Sequence, residues 1–167
     1  GDRLWYIDLG PNMCSGPDEQ YDIVGYDWDG DGKAEVLMRG ADNMIIYHPD
    51  GTKTEVGNMN VNTRNTVTHT ANMTYTNTGD EFLIYMNGLS GKPYKVITYP
   101  LARESASAWG DNYGHRSSKY FMGAPYLDGR KPYIFLGRGI YTRHKMCALK
   151  VDPSTHDLTK EWSWEGN

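Results

Sequence analysis

The chain has 167 residues, with 17 Lys plus Arg against 21 Asp plus Glu, a formal net charge of −4, and 13 Tyr beside only 3 Phe. That length fits one domain of roughly 100–200 residues with a core of its own; no apolar run approaches the roughly 20 residues a membrane helix needs, and no basic-then-apolar segment opens the chain. A membrane span is therefore excluded, any export signal is expected to have been removed, and the mild acidity speaks against nucleic acid as the partner, since such domains carry a basic stripe.

Nineteen Gly, eight Pro and abundant Asn, Thr, Tyr and Trp favour strands and turns over helices. In chain order the strand candidates begin with Arg3 to Leu9, followed by the turn Gly10-Pro11-Asn12. Tyr21 to Tyr26, Ala34 to Arg39 and Met44 to His48 come next, the last ending at Asp50-Gly51. Glu81 to Met86 and Tyr94 to Tyr99 flank a loop and read as a hairpin. Tyr120 to Tyr126, Tyr133 to Leu136, Met146 to Val151 and Leu158 to Trp164 complete the series. The longest helix-compatible piece, Leu101 to Trp109, is short and Ser-rich, so the fold class reads as all-β. Cys14 and Cys147 stand 133 positions apart, which leaves open whether they pair.

A shift of 99 positions places Asp29-Gly30 on Asp128-Gly129, Leu37 on Leu136 and Arg39-Gly40 on Arg138-Gly139 without a gap. Arg3-Leu4-Trp5 and Lys160-Glu161-Trp162 also occupy like places. A period of this kind signals repeated modules, and four-stranded units in series are the sequence appearance of β-propeller blades. The parse is a strand of a preceding blade at 1–10, a first blade at 20–100, a connecting loop at 101–119 and a second blade at 120–167. Two blades and an orphan strand cannot close a ring, so the chain is expected to be part of a longer protein or to associate with other copies. A single two-sheet domain is the plainer alternative. Within the first unit, residues 57–78 hold six Asn and seven Thr and read as a long excursion between strands.

One motif carries chemistry. Asp27-Trp28-Asp29-Gly30-Asp31-Gly32-Lys33-Ala34-Glu35 sets carboxylates at the first, third, fifth and ninth positions of a tight loop relieved by glycine. Calcium takes six to eight oxygens, and alternating side chains plus a backbone carbonyl can converge from such a turn. The expected ligands are the side chains of Asp27, Asp29, Asp31 and Glu35 and the carbonyl of Lys33. An EF-hand fails here, because its twelfth position is Met38 where a bidentate Glu is needed and the flanks read as strands. The site is expected to clasp a β-hairpin without taking part in catalysis.

Other candidates are weaker. Asp111, Asn112 and Asn72 offer oxygens but are ordinary turn formers. Asp128 matches Asp29, yet Arg130 and Ile134 replace Asp31 and Glu35, so the second unit is expected to lack the site. Arg39 and Arg138 either grip a carboxylate or make a repeated structural bond. Trp109, Tyr113, Tyr126 and Tyr141 either stack on sugar rings or belong to core and rim.

These residues resemble a known family. RLWYIDLG from Arg3, YDWDGDGKAEVLMRGAD from Tyr26, ARESASAWGDNYGHR from Ala102, YLDGRKPYIFLGRGIYTR from Tyr126 and EWSWEGN from Glu161 follow the order seen in the propeller-type bacterial rhamnogalacturonan lyases, calcium-dependent enzymes that cleave pectin. The resemblance spans nearly the whole chain. It implies an early segment of an eight-bladed, secreted or periplasmic propeller that binds Ca2+ and meets pectic polysaccharide through the parent protein, with other blades or other copies covering the open sheet faces. The family reaction is β-elimination at galacturonate, in which calcium or Arg neutralises the uronate carboxylate and a base takes the C5 proton. The resemblance places the catalytic residues outside this segment, so only the calcium loop carries over and the segment alone is expected to be inactive. Arg39-Gly40-Ala41-Asp42-Asn43 departs from the family's Lys-Thr-Ala-Asp-Gly. A non-catalytic, calcium-dependent carbohydrate-binding or adhesion propeller module is the alternative from another functional class.

Overall fold

The computed structural model describes residues 1–13, 23–63, 67–70 and 73–166; Cys14, Tyr21 and Asn72 lie outside them. In chain order the strands are β1 (Tyr6–Asp8), β2 (Ile23–Tyr26), β3 (Glu35–Ala41), β4 (Met44–Tyr47), β5 (Lys53–Val56), β6 (Val67–Thr70), β7 (Met73–Tyr75), β8 (Glu81–Asn87), β9 (Pro93–Thr98), β10 (Tyr120–Gly123), β11 (Ile134–Arg138), β12 (His144–Val151) and β13 (Leu158–Gly166). One 3-10 turn, Ala106–Trp109, takes the place of the helix-compatible piece. The all-β reading holds among the described residues, and no helix is long and apolar enough to cross a membrane.

The strands form two four-stranded antiparallel sheets, β2-β3-β8-β9 and β10-β11-β12-β13, a three-stranded sheet β1-β4-β5 and a two-stranded ladder β6-β7. Strand alternation explains how they stack, because successive side chains point to opposite faces. On β3 and β8, Leu37, Leu83 and Tyr85 face the second four-stranded sheet, where they join Tyr120, Ile134, Leu136, Cys147 and Leu149 in one core. Met38, Ile84 and Met86 face the other way and pack with Met44, Ile46 and Val56 of the three-stranded sheet in a second core. The sheet β2-β3-β8-β9 is thus the middle of three layers. Leu83 and Ile84 are neighbours in sequence and both fully buried, on opposite faces. Each such side chain contributes about 1.5–3 kcal/mol of burial.

The N-terminal strand joins the three-stranded sheet rather than either four-stranded one. Tyr6↔Tyr47, Ile7↔Ile46 and Asp8↔Ile45 pair β1 with β4. Met44–Tyr47 therefore leaves the first unit, to which the sequence pattern assigned it. The turn at Asp42-Asn43 explains the departure: Asn43 takes a left-handed φ of 60°, which Asn tolerates better than most residues. The buried Asp42 carboxylate ties together the two ends of the Asn/Thr-rich excursion, accepting from Asn58 N–H at 2.7 Å and Asp80 N–H at 3.3 Å. The excursion contains the β6-β7 ladder, and β5 precedes it; neither was anticipated, because Thr-rich and Lys/Glu-bearing segments lack a strong apolar alternation. Cys147 is a free thiol in the main core, and burial pushes it up to about 11, so it is a packing residue with little thiolate at neutral pH.

A polar network joins the two four-stranded sheets. Arg39 and Arg138, related by the 99-residue shift, both reach Glu81: Arg39 Nη1 lies 3.2 Å from Oε1 and Arg138 Nη1 2.6 Å from Oε2. Arg103 Nη2 adds a third contact at 3.0 Å, and Tyr120 Oη donates to Oε1 at 2.5 Å. Burial alone raises the Glu81 carboxyl, but the charges of Arg138, Arg103 and Arg39 outweigh it and hold the group well below the usual carboxylate range. The guanidinium carbons of Arg39 and Arg138 also lie over the Tyr120 ring at 4.4 and 4.9 Å. Both arginines thus grip a carboxylate, and it is one inside the fold, that of Glu81.

Candidate functional site: an acidic loop at the sheet edge

The β2–β3 turn runs from Asp27 to Ala34. Gly30 and Gly32 adopt φ of 82° and 86°, backbone angles that strain any residue with a side chain at Cβ. Their N–H groups both point inward, to Asp27 Oδ1 at 2.7 Å and Asp27 Oδ2 at 3.0 Å. Asp29 Oδ1 accepts from Asp31 N–H at 3.0 Å, and Glu35 Oε2 accepts from Trp28 N–H at 2.9 Å. Trp28 anchors the turn in the main core, donating from its indole to the carbonyl of Tyr133 at 3.3 Å.

Of the four carboxylates expected from the sequence, three converge. Asp27, Asp29 and Glu35 each offer an oxygen within 4.8 Å of the others. Asp31 and Lys33 sit at the exposed tip, where Asp31 Oδ1 accepts from Lys33 N–H at 2.8 Å and the Lys33 ammonium stands 3.6 Å from Oδ2. Burial raises the Glu35 carboxyl above its ordinary value, the Trp28 N–H opposes that rise, and the negative charge of Asp29 adds to it. The Tyr85 hydroxyl lies against Glu35, buried and without a well-formed hydrogen bond. Burial, followed by the charges of Glu35 and Asp29, pushes that phenol upward. The donor set fits a hard divalent cation: oxygens only, concentrated negative charge, and a buried carboxylate whose ionised form lacks a compensating charge.

Sequence reasoning missed one member of this site. His156 lies in the β12–β13 turn of the other sheet, and its Nε2 lies 3.1 Å from Asp29 Oδ2. Its ring stacks on Tyr94 at 3.8 Å between centroids and 1° between planes. His156 is 127 positions from Asp29 and has no motif around it, so no local signal marks it; its left-handed φ of 58° is visible only in three dimensions. In the second unit, Asp128 makes a simple turn instead, accepting from Arg130 and Lys131 N–H at 2.9 and 3.2 Å and from the Tyr133 hydroxyl at 3.2 Å. These bonds, the Arg130 N–H first, lower its carboxyl.

The layers and the acidic turn together define an all-β chain of stacked four-stranded sheets with three converging carboxylates at one sheet edge. The family model described as "Rhamnogalacturonan lyase family 11, C-terminal domain" matches residues 1–167, so the chain belongs to that family, as the resemblance led one to expect. Rhamnogalacturonan endolyase YesW of Bacillus subtilis (strain 168) is 35% identical over 167 residues, and rhamnogalacturonan exolyase YesX of the same organism is 34% identical. The chain covers 25% of each, about a quarter of these relatives' length. It superposes on the crystal structure of YesW with a TM-score of 0.81 at 33% identity, covering 99% of this chain and 26% of that one. Bacillus licheniformis rhamnogalacturonan lyase PL11 gives 0.80 at 33% identity, with 97% and 26% covered.

Proposed function

We propose that the chain is a two-blade segment of a β-propeller rhamnogalacturonan lyase that acts outside the cytoplasm on pectic polysaccharide. The observation that carries this reading is the family match over all 167 residues. The reaction is β-elimination at galacturonate: a base takes the C5 proton, its electron pair forms the C4–C5 double bond, and the C4–O bond breaks with the oxygen leaving on rhamnose. The catalytic base belongs to a part of the parent outside this segment, which by itself is inactive.

Support for the ring lies in the stacking. The middle sheet is covered on both faces, whereas the outer face of β10-β13 is open. Alternation and register place Phe121, Phe135, Met146, Trp162 and Trp164 on that outer face, and Leu127, Tyr133, Phe135, Ala148 and Trp162 line an apolar cavity of about 440 Å³ there. A face of this kind is a contact surface, and the next blade of the parent covers it. On the opposite side, β1 is the last strand of a preceding blade, extended by β4 and β5.

Asp27, Asp29 and Glu35 hold Ca2+, joined by Asp31 and the Lys33 carbonyl. Bound there, calcium supplies the positive charge that three converging carboxylates require, and its role is to clasp the β2–β3 turn. His156 orients Asp29 from the neighbouring sheet. The test is product formation: the full-length parent releases an unsaturated, ultraviolet-absorbing oligosaccharide from rhamnogalacturonan, and the 167-residue chain alone releases none. A parent that binds pectic oligomers without forming product overturns the lyase reading in favour of a binding module.

A further inference from the structure

A second polar corner shares no residue with the acidic loop. Asp111 organises the connecting segment after the 3-10 turn: its Oδ1 accepts from Tyr113 and Gly114 N–H at 3.1 and 2.8 Å, its Oδ2 from Arg116 N–H at 2.8 Å. Trp109 is the buried floor, with the Arg143 guanidinium carbon and the Lys145 ammonium 5.1 and 5.6 Å from its ring centre. Gly139 passes with φ of 99° so close that a Cβ would lie 2.3 Å from the Trp109 ring.

Two residues beyond Gly139, in the same β11–β12 loop, stands Tyr141, 71% exposed. Its φ is 64°, a left-handed conformation that costs a bulky aromatic residue free energy. The His115 ring lies 6.3 Å away at an interplanar angle of 23°, and His115 Nδ1 is itself 3.1 Å from the Tyr75 hydroxyl. The Arg116 guanidinium carbon lies 5.5 Å from the centre of the Tyr141 ring. Arg116 Nη1 donates to Thr142 Oγ1 at 2.8 Å and to the Trp109 carbonyl at 3.3 Å, which fixes the charge beside the ring.

An aromatic ring held in solvent on a strained backbone gains little from burial, so folding does not account for it. Strain of this kind is retained where surroundings enforce it, and it concentrates at ligand clamps. The ring offers a flat apolar face to the C–H face of a sugar, and the guanidinium beside it matches a carboxylate in charge and hydrogen-bonding geometry. We infer that Tyr141, His115 and Arg116 form a binding subsite for an acidic sugar, with the uronate ring stacked on Tyr141 and its carboxylate directed to Arg116. The choice of pectic probes rests on the lyase reading; the geometry of the subsite stands without it.

The experiment is calorimetric titration of the full-length parent with tetragalacturonate, with an alternating galacturonate–rhamnose tetrasaccharide and with neutral galactotetraose. Tyr141→Asn removes the ring while keeping a residue that accepts the left-handed backbone. It should weaken binding of an acidic oligomer about tenfold, equivalent to ~1.4 kcal/mol, whereas Tyr141→Trp retains it. Arg116→Gln should abolish the preference for acidic over neutral oligomers. Loss confined to the alternating oligomer identifies the mixed backbone as the ligand, and loss on both identifies any uronate run. Acidic binding within twofold of the parent in a Tyr141→Asn protein of unchanged melting temperature overturns the subsite. If that variant fails to fold, an unchanged acid preference in Arg116→Gln does so instead. A parent that forms no unsaturated product while Tyr141→Asn still loses affinity removes the lyase reading and keeps the subsite.

Discussion

The two four-stranded sheets share a meander order and differ at their loops. Between its second and third strands the first sheet inserts residues 42–80, including β4 through β7, where the second has only residues 139–143. Between first and second strands, the first carries the converging carboxylates of Asp27, Asp29 and Glu35, and the second a single Asp128 turn. What the repeat preserves is interior: Arg39 and Arg138 start from equivalent strand positions and end on the two oxygens of one Glu81. Loops tolerate chemical divergence because water satisfies their polar groups. A buried ionic network has no such substitute.

The largest effect should come from breaking what joins the two sheets. Glu81→Leu strands three guanidinium groups in the interface, and removing one partner of a buried ionic network costs about 3–5 kcal/mol; thermal melting of the parent protein should fall accordingly. The same carboxylate gives the pH dependence. Its folded-state value lies below the unfolded one, so its stabilising contribution is fully present above about pH 5 and is lost as pH falls toward 2. A melting temperature flat across that acid range would remove Glu81 from this role.

The acidic loop should divide the sheets next. At calcium a hundredfold above its Kd the expected stabilisation is about 2.7 kcal/mol, so chelation should lower the melting temperature. Asp29→Ala should abolish that sensitivity while Asp128→Ala leaves it intact. Equal behaviour of the two variants would erase the distinction drawn between the turns. Gly139→Ala tests the short loop of the second sheet; a Cβ meeting Trp109 on a left-handed backbone should cost about 2 kcal/mol. Smallest is His156→Phe, which keeps the stack on Tyr94 and loses the contact to Asp29, at about 1 kcal/mol. Its value is diagnostic: calcium-dependent stabilisation should weaken although His156 belongs to the other sheet.

Much of this was legible locally. Glycine at positions 30 and 32 and carboxylates at alternate positions specify a turn and its charge within nine residues, because backbone angles and side-chain spacing are local properties. The short apolar runs of β3 and β8, bounded by turn residues, announced strands, and the shift of 99 aligned Arg39 with Arg138. The destinations of chain segments were not legible. Met44–Tyr47 has strand character in either sheet, and only the left-handed turn at Asn43 and the pairing with β1 decide where it goes. The β6-β7 ladder lies in a stretch whose composition suggests solvent.

By itself, then, the sequence determined the all-β class, the acidic turn and the family. Tertiary structure decided that three of the four expected carboxylates converge, that His156 approaches Asp29 from 127 positions away, and that two repeated arginines share one Glu81. The division has a physical cause. Turn geometry and strand alternation arise between neighbours in the chain, whereas ion pairing and desolvation depend on which distant surfaces the packed sheets bring together.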